Sequence, residues 1–166
     1  MTQIRTAVKP KLTGFVTGTV DGRPFAVLTS THEPMLAYAL DDLTRPPMAI
    51  PEAVDHVVLA MVGPYIVAEH SAPTGRDTIR VWHLSGDRIG PELFSGTEIT
   101  AAVGRTWPAV FIGRANGTIA LTDLETGRDL CDPIQAPSRP TAMTVTGDGD
   151  LIAGFGCDLA RLRPPV

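Results

Sequence analysis

The side chains that could do chemistry are few, and they lie in polar segments between apolar runs. Histidine, carboxylate and guanidinium groups that converge in a cleft can transfer protons or bind a charged ligand. Polar residues are also the ordinary content of solvated loops, so such groups need a shared position before they can act together. The candidates for a catalytic or ligand-binding site are His32, Glu69, His70 and Arg114.

Two further sets of residues admit both a chemical and a simpler interpretation. Asp148 and Asp150 flank Gly149, which is compatible with Ca²⁺ binding, but a tight Asp-Gly turn explains the spacing better. Cys131 and Cys157 form no metal-binding or redox motif. We therefore expect no metal site, no cofactor and two reduced thiols in a cytoplasmic protein.

Binding of a protein or peptide is the second class of function that the residues suggest. Exposed tryptophan and arginine are enriched where partners dock. Trp107 precedes a proline and could anchor a partner, although it could equally cover the edge of a sheet. The candidates for partner contact are Trp107, His56, Arg139 and Asp158.

The composition narrows the classes of partner. The chain has 166 residues, a net charge of −4 and no block of basic residues, so binding of nucleic acid is not expected. No apolar run is long enough for a membrane-spanning helix, and residues 1–12 lack the apolar core of a signal peptide. The 16 glycines and 15 prolines are scattered between short apolar runs, which predicts a turn-rich, all-β chain.

Four apolar segments recur along the chain. They end at Val20, Val62, Val103 and Val145, with spacings of 42, 41 and 42 residues. This period is typical of four-stranded units of about 40–45 residues, and the segments lack the 3.6-residue period of a helical array. We predict one domain over residues 1–166 with repeats at about 14–56, 57–98, 99–140 and 141–166.

The turns between the predicted strands have their own signals. Asn116-Gly117 is expected to form a tight two-residue turn in which both residues have positive φ, and Asp21-Gly22 marks a similar hairpin. In the third repeat, residues 128–134 are predicted as the outer strand. The fourth repeat has no outer strand of its own, whereas residues 3–8 form a spare strand at the N-terminus.

Two stretches resemble the core of a WD40 repeat of bacterial type. Residues 77–86 read DTIRVWHLSG, with Trp82 retained and His83 where the family has aspartate. Residues 109–130 read AVFIGRANGTIALTDLETGRDL, with Asp123 retained. No repeat holds the complete set of His, Ser or Thr, Asp and Trp that links many WD40 blades, so packing must supply most of the rigidity.

The resemblance implies a β-propeller with four blades in each chain. WD40 propellers usually have seven or eight blades, so two chains are expected to form one eight-bladed ring as a homodimer, with a closed four-bladed ring as the alternative. Residues 1–8 would close the fourth blade of their own chain or of the partner. In WD40 strand order, the candidate residues would lie near one rim.

The implied function is a non-catalytic interaction module or scaffold that binds a protein or peptide on the rim or the channel mouth. The alternative is a small propeller enzyme, a lyase or hydrolase, or a protein that binds a small ligand through the polar rim residues. Convergence of those residues in a deep pocket would favour the enzyme, and dispersal along the rim would favour the module.

Overall fold

The computed structural model describes residues 11–71, 77–96, 100–103 and 109–163. The predicted N-terminal strand at residues 3–8 and the candidate Trp107 lie outside these ranges. Within them the chain forms strands, turns and irregular connections and no helix, so the prediction of an all-β chain is confirmed.

Four antiparallel sheets follow one another along the chain, and in each of them strands adjacent in sequence pair with each other. The first three sheets have four described strands each, and the fourth has three. The first sheet contains β1 (Leu12–Val20), β2 (Arg23–Ser30), β3 (Met35–Ala39) and β4 (Met48–Ile50); the second contains β5 (His56–Val62), β6 (Tyr65–Ser71), β7 (Asp77–His83) and β8 (Arg88–Gly96); the third contains β9 (Thr100–Val103), β10 (Ala109–Gly113), β11 (Thr118–Asp123) and β12 (Ile134–Gln135); the fourth contains β13 (Ala142–Val145), β14 (Leu151–Phe155) and β15 (Asp158–Leu162).

The turns lie at the positions predicted from the sequence, but the backbone conformation of one of them differs from the prediction. Asp21 and Gly22 both have positive φ, 51° and 77°, as a two-residue hairpin turn requires. In the Asn116-Gly117 turn only Gly117 does, with φ of 82°. The expectation of two positive φ angles there is wrong, because the connection is longer: Gly117 N–H donates to the carbonyl of Arg114, and Arg114 N–H donates to that of Thr118.

The outer strand of the third sheet is also shorter than predicted. Instead of residues 128–134, it consists of Ile134–Gln135, preceded by an isolated bridge between Asp129 and Thr122. Pro133 lies between the bridge and the strand and has no N–H to donate to a ladder. The pairing is therefore interrupted along this edge.

Packing between neighbouring sheets forms three apolar layers. Val27, Met35 and Trp82 belong to the layer between the first and second sheets. Because side chains alternate along a strand, β10 sends Val110 and Ile112 toward the second sheet and Phe111 toward the fourth. All five residues of β10 are consequently buried.

The sheets form an open series. β1 packs against β5, β5 against β9, and β9 against β13. Among the described strands, no comparable packing joins β13 back to β1. β1, β5 and β13 line a common cavity of about 720 Å³ on the inner side of the series.

The third-sheet turn supplies a test of the packing at Gly117. We expect Gly117→Val to lower the free energy of unfolding by about 1–3 kcal/mol, because a β-branched residue is strained at positive φ. A Cβ atom there would also lie 3.1 Å from the carbonyl oxygen of Ala136. Urea denaturation measures the change.

Gly147 provides the matched control in another tight turn. A Cβ atom at Gly147 meets no heavy atom within 4 Å, and its φ is outside the left-handed region. Gly147→Val should therefore change the free energy of unfolding by much less than Gly117→Val. Equal effects of the two substitutions would contradict the described turn.

Candidate functional site

His32 lies on the β2–β3 turn and contacts the loop before β5. Its backbone N–H donates to Oδ1 of Asp55 over 2.9 Å, and its ring Nδ1 lies 3.3 Å from the same oxygen. Both residues have positive φ, 62° and 57°. The backbone hydrogen bond from His32 is the main cause that lowers the pKa of Asp55. This contact joins the edges of the first two sheets and leaves the His32 ring in solvent.

His70 is placed against His56, and its charge adds to the effect of His32 in lowering the pKa of Asp55. The two rings lie 4.9 Å apart, and the His56 ring also meets Trp82 edge-on at 4.9 Å. His56 Nδ1 lies 2.7 Å from the carbonyl oxygen of Val54, which indicates that Nδ1 carries the proton. The pair therefore belongs to the joint between the first and second sheets.

His56 differs from the expectation of a side chain available to a partner. It begins β5 and is only 3% exposed, because the alternation of the strand directs it inward with Val58. Burial is the main cause that lowers the pKa of His56, and the nearby charges of His70 and Arg80 act in the same direction. The ring is a neutral part of the packed joint at neutral pH.

Glu69 cannot act together with its neighbour His70 in one pocket. Consecutive residues of a strand point to opposite faces of the sheet, and Glu69 lies on the face that packs toward the third sheet. Burial raises the pKa of Glu69, and the negative charge of Asp77 adds to the rise. Glu69 and His70 therefore serve two different sheet interfaces.

Arg114 lies on the third sheet, at the turn after β10. It lines a cleft of about 360 Å³ between the second and third sheets. Two acidic residues of that cleft already have polar partners: Glu92 lies 2.6 Å from a guanidinium nitrogen of Arg80, and Asp129 accepts a hydrogen bond from Thr122. Of the four catalytic candidates, His32 and His70 thus lie at the junction of the first and second sheets, whereas Glu69 and Arg114 lie between the second and third.

The other partner-contact candidates lie around the third and fourth sheets. Asp158 is exposed at the start of β15. Arg139 is partly buried in the connection before β13. The β10–β11 turn contacts the end of β12, because the Gln135 side-chain amide donates to the carbonyl of Asn116.

Asp150 has a role that neither the turn nor the Ca²⁺ interpretation anticipated. Its carboxylate is 3% exposed and accepts hydrogen bonds from Arg161 over 2.6 Å and from Arg163 over 3.2 Å. The hydrogen bond from Arg163, followed by that from Arg161, lowers the pKa of Asp150. The carboxylate fixes the last strand, and the signal in the sequence was a pair of arginines, of which Arg161 lies in that strand and Arg163 directly after it.

No cation site accompanies these contacts in the part of the chain that is described. Nowhere in residues 11–71, 77–96, 100–103 and 109–163 do three or more His, Cys, Asp or Glu side chains come together as metal ligands would. In the same ranges, no helix has the length and apolar character needed to cross a bilayer.

The two ends of the series of sheets each present a large exposed apolar side chain to solvent. We call the outward face of the first sheet the first flank; Phe15 pairs across it with Leu28, and Leu28 with Leu36. Phe15 is 58% exposed. The outward face of the fourth sheet, the fourth flank, carries Ile152 and Leu159 together with Arg161, and Leu159 is 80% exposed. The sequence analysis did not identify these residues.

Comparisons with solved structures give the fold a context. The crystal structure of the computationally designed Ika4 protein is similar over 95% of this chain and 95% of its own, with a TM-score of 0.63 and 16% identity. The crystal structure of the computationally designed Ika8 protein is similar over 86% of this chain, with a TM-score of 0.56 and 19% identity. The matched part is 42% of the Ika8 chain, so this chain spans less than half of that length. No model of a protein family matches the chain, and no curated protein matches it.

The buried histidine predicts a pH dependence of stability. Because the pKa of His56 is lower in the folded chain than its value of 6.5 in the unfolded chain, the unfolded chain takes up this proton first as the pH falls. The free energy of unfolding should decrease below about pH 6.5, by at most about 1.4 kcal/mol per pH unit for this proton. Urea denaturation between pH 8 and pH 5.5 measures the slope.

The substitution His56→Gln should remove part of that slope, and His83→Gln is the matched control. His83 lies at the end of β7, where its ring contacts the Ser85 hydroxyl in a turn. A chain with His56→Gln that keeps the full slope would refute the role assigned to His56.

Proposed function

We propose that the chain is a non-catalytic scaffold of the β-propeller type. Two copies close a ring of eight sheets, and the rim of that ring binds a protein or peptide. The observation that carries the proposal is the pair of exposed apolar flanks at the two ends of one series of sheets, with Phe15 on one and Leu159 on the other.

Exposure of the large apolar side chains on those flanks to water is unfavourable. Burying a large apolar side chain stabilises a protein by about 1.5–3 kcal/mol. In a two-chain ring the first flank of each copy covers the fourth flank of the other, so a two-fold axis produces the same contact twice. Phe15, Leu28 and Leu159 would then be covered as their counterparts in the inner sheets are.

The open end of the series favours two chains over a closed ring of four sheets. A single-chain ring requires β13 to pack against β1 as β1 packs against β5, and the described strands have no comparable contact there. The two designed proteins support the same interpretation. The arrangement of this chain corresponds to nearly all of the Ika4 chain but to 42% of the Ika8 chain, so it can be a unit of a longer series.

The distribution of polar residues favours binding over catalysis. His32 pairs with Asp55, the His70 ring lies tilted against the ring of His56, and Arg114 lines a separate cleft. This dispersal supports a rim that contacts a partner at several points rather than a lyase or hydrolase centre. Unpaired cysteines at 131 and 157 are compatible with the cytoplasm as the compartment of the scaffold.

A substitution in the first flank tests the ring. Phe15→Glu places a charge in both of the proposed contacts, because each contact contains one first flank. We expect the dissociation constant of the dimer to rise at least about 100-fold. Light scattering over a range of protein concentrations measures it.

Leu43→Glu is the matched control for that substitution. Leu43 is 69% exposed. It belongs to the same repeat as Phe15, but it lies in the connection between β3 and β4 and outside the first flank. The control should dimerise as the unchanged chain does. Dimers of equal affinity for Phe15→Glu and Leu43→Glu would contradict the proposed contact.

A further inference from the structure

The turn between β10 and β11 contains the pair of residue types in which an asparagine side chain reacts most readily with its own backbone. Asn116 is the only asparagine among the 166 residues, and Gly117 follows it. Glycine has no Cβ atom, so nothing obstructs the approach of its nitrogen to the side chain before it. The pair lies in the third sheet, outside both flanks of the proposed ring.

The reaction is an attack within the chain that releases ammonia. The Gly117 nitrogen gives its proton to hydroxide, and its electron pair forms a bond to Cγ of Asn116. The bond from Cγ to Nδ2 then breaks, and Nδ2 leaves as ammonia after it takes a proton from water. Water opens the resulting five-membered succinimide at one of its two carbonyl carbons. Opening at Cγ gives aspartate, and opening at the backbone carbon gives isoaspartate, whose main chain is longer by one carbon.

The folded turn holds the reacting peptide group at both ends. Its N–H, which belongs to Gly117, donates to the carbonyl of Arg114 over 3.0 Å. Its carbonyl, which belongs to Asn116, accepts a hydrogen bond from the side-chain amide of Gln135 over 3.2 Å. The Gly117 nitrogen can therefore lose its proton to solvent only when the turn opens.

The Asn116 side chain and the backbone around it are fixed as well. Asn116 Oδ1 accepts a hydrogen bond from the N–H of Thr118 over 3.0 Å, and the Gly117 carbonyl accepts one from Ala136 N–H over 2.9 Å. Asn116 is the third residue of the turn that the bond from Gly117 to Arg114 closes, and its φ is not positive. Its ψ is then about 0°, as in a type I turn. Ring closure requires a different ψ, because Cβ and the Gly117 nitrogen must become nearly coplanar with the two atoms between them.

We propose that Asn116 is a site of spontaneous deamidation whose reaction the fold controls. The closed turn withholds the Gly117 nitrogen, and the reaction proceeds from the fraction of chains in which the turn has opened. Aspartate at this position can still accept the hydrogen bond from Thr118, so that product can close the turn again. Isoaspartate cannot, because its additional main-chain carbon changes the spacing between the bonded groups. The reaction concerns one chain and does not depend on the two-chain ring.

Mass spectrometry of the full chain follows the reaction, because exchange of the amide NH₂ for a hydroxyl group raises the mass by a fixed amount. The unchanged chain is incubated at one mildly alkaline pH, with and without denaturing urea. We expect deamidation in the native buffer to be at least about tenfold slower than in urea. Equal rates would overturn the control by the fold, and the lack of a mass change in urea would overturn the site itself.

The Asn116→Gln chain is the control for the assignment. Glutamine closes the corresponding six-membered ring far more slowly, so this chain measures the background from the native glutamines, including Gln135. Isoaspartate formed at Asp21 or Asp148, each of which precedes a glycine, adds no mass. We expect the mass change in urea to disappear in the Asn116→Gln chain, and its persistence would overturn the assignment to Asn116.

The substitution Gln135→Ala tests the contact that holds the reacting carbonyl. Loss of this hydrogen bond should raise the rate in the native buffer at least about threefold and leave the rate in urea unchanged. Thr141→Ala is the matched control, because the Thr141 hydroxyl also donates to a backbone carbonyl over 3.2 Å, that of Gly154 in the fourth sheet. Equal rates for the two variants would show that the contacts of the turn do not govern the reaction, and would overturn the proposal.

Discussion

Covering both faces of each sheet is the constraint on which the rest of the structure depends. A sheet of four short strands cannot bury its own apolar faces, so each one needs a neighbour on either side. β10 meets this condition, with all five residues buried between the second and fourth sheets. β1 does not, because every second residue from Thr13 to Thr19 is exposed along it. The unsatisfied faces lie at the two ends of the series, and the proposed assembly follows from them.

Polar contacts at the edges of the sheets help to keep the packed sheets in position. Asp55 and His32 join the first two sheets at one edge, and Asp150 fixes the last strand through Arg161. The buried His56 replaces an apolar residue within a layer, at the cost of a pH-dependent stability. These groups explain why candidates for catalysis became parts of joints rather than members of one pocket.

The sequence predicted the fold where the pattern is local. The recurrence of Val20, Val62, Val103 and Val145 fell on the ends of β1, β5, β9 and β13, and short apolar runs with turn residues predicted the all-β class. The Asn116-Gly117 pair predicted a turn but not its conformation, since the length of the loop decides which residues need positive φ. Likewise, Pro133 interrupts an outer strand that the apolar pattern alone extends.

The candidate site was harder to predict from the sequence because it depends on contacts between segments that are distant along the chain. His56 and His70 are both polar and appear equally exposed in the sequence, but the alternation of β5 buries the first against Trp82. The partnership of Asp150 with Arg161 depends on the register of β14 and β15. Such pairings become visible only when the strands are aligned.

Native mass spectrometry of the intact chain tests the central claim most directly, because it counts the chains in the assembly. We expect a dimer, with twice the 17.6 kDa mass of one chain, that persists at low micromolar concentration. A monomer at every concentration would show that the two flanks are covered within one chain or left in solvent, and it would contradict the ring of two copies.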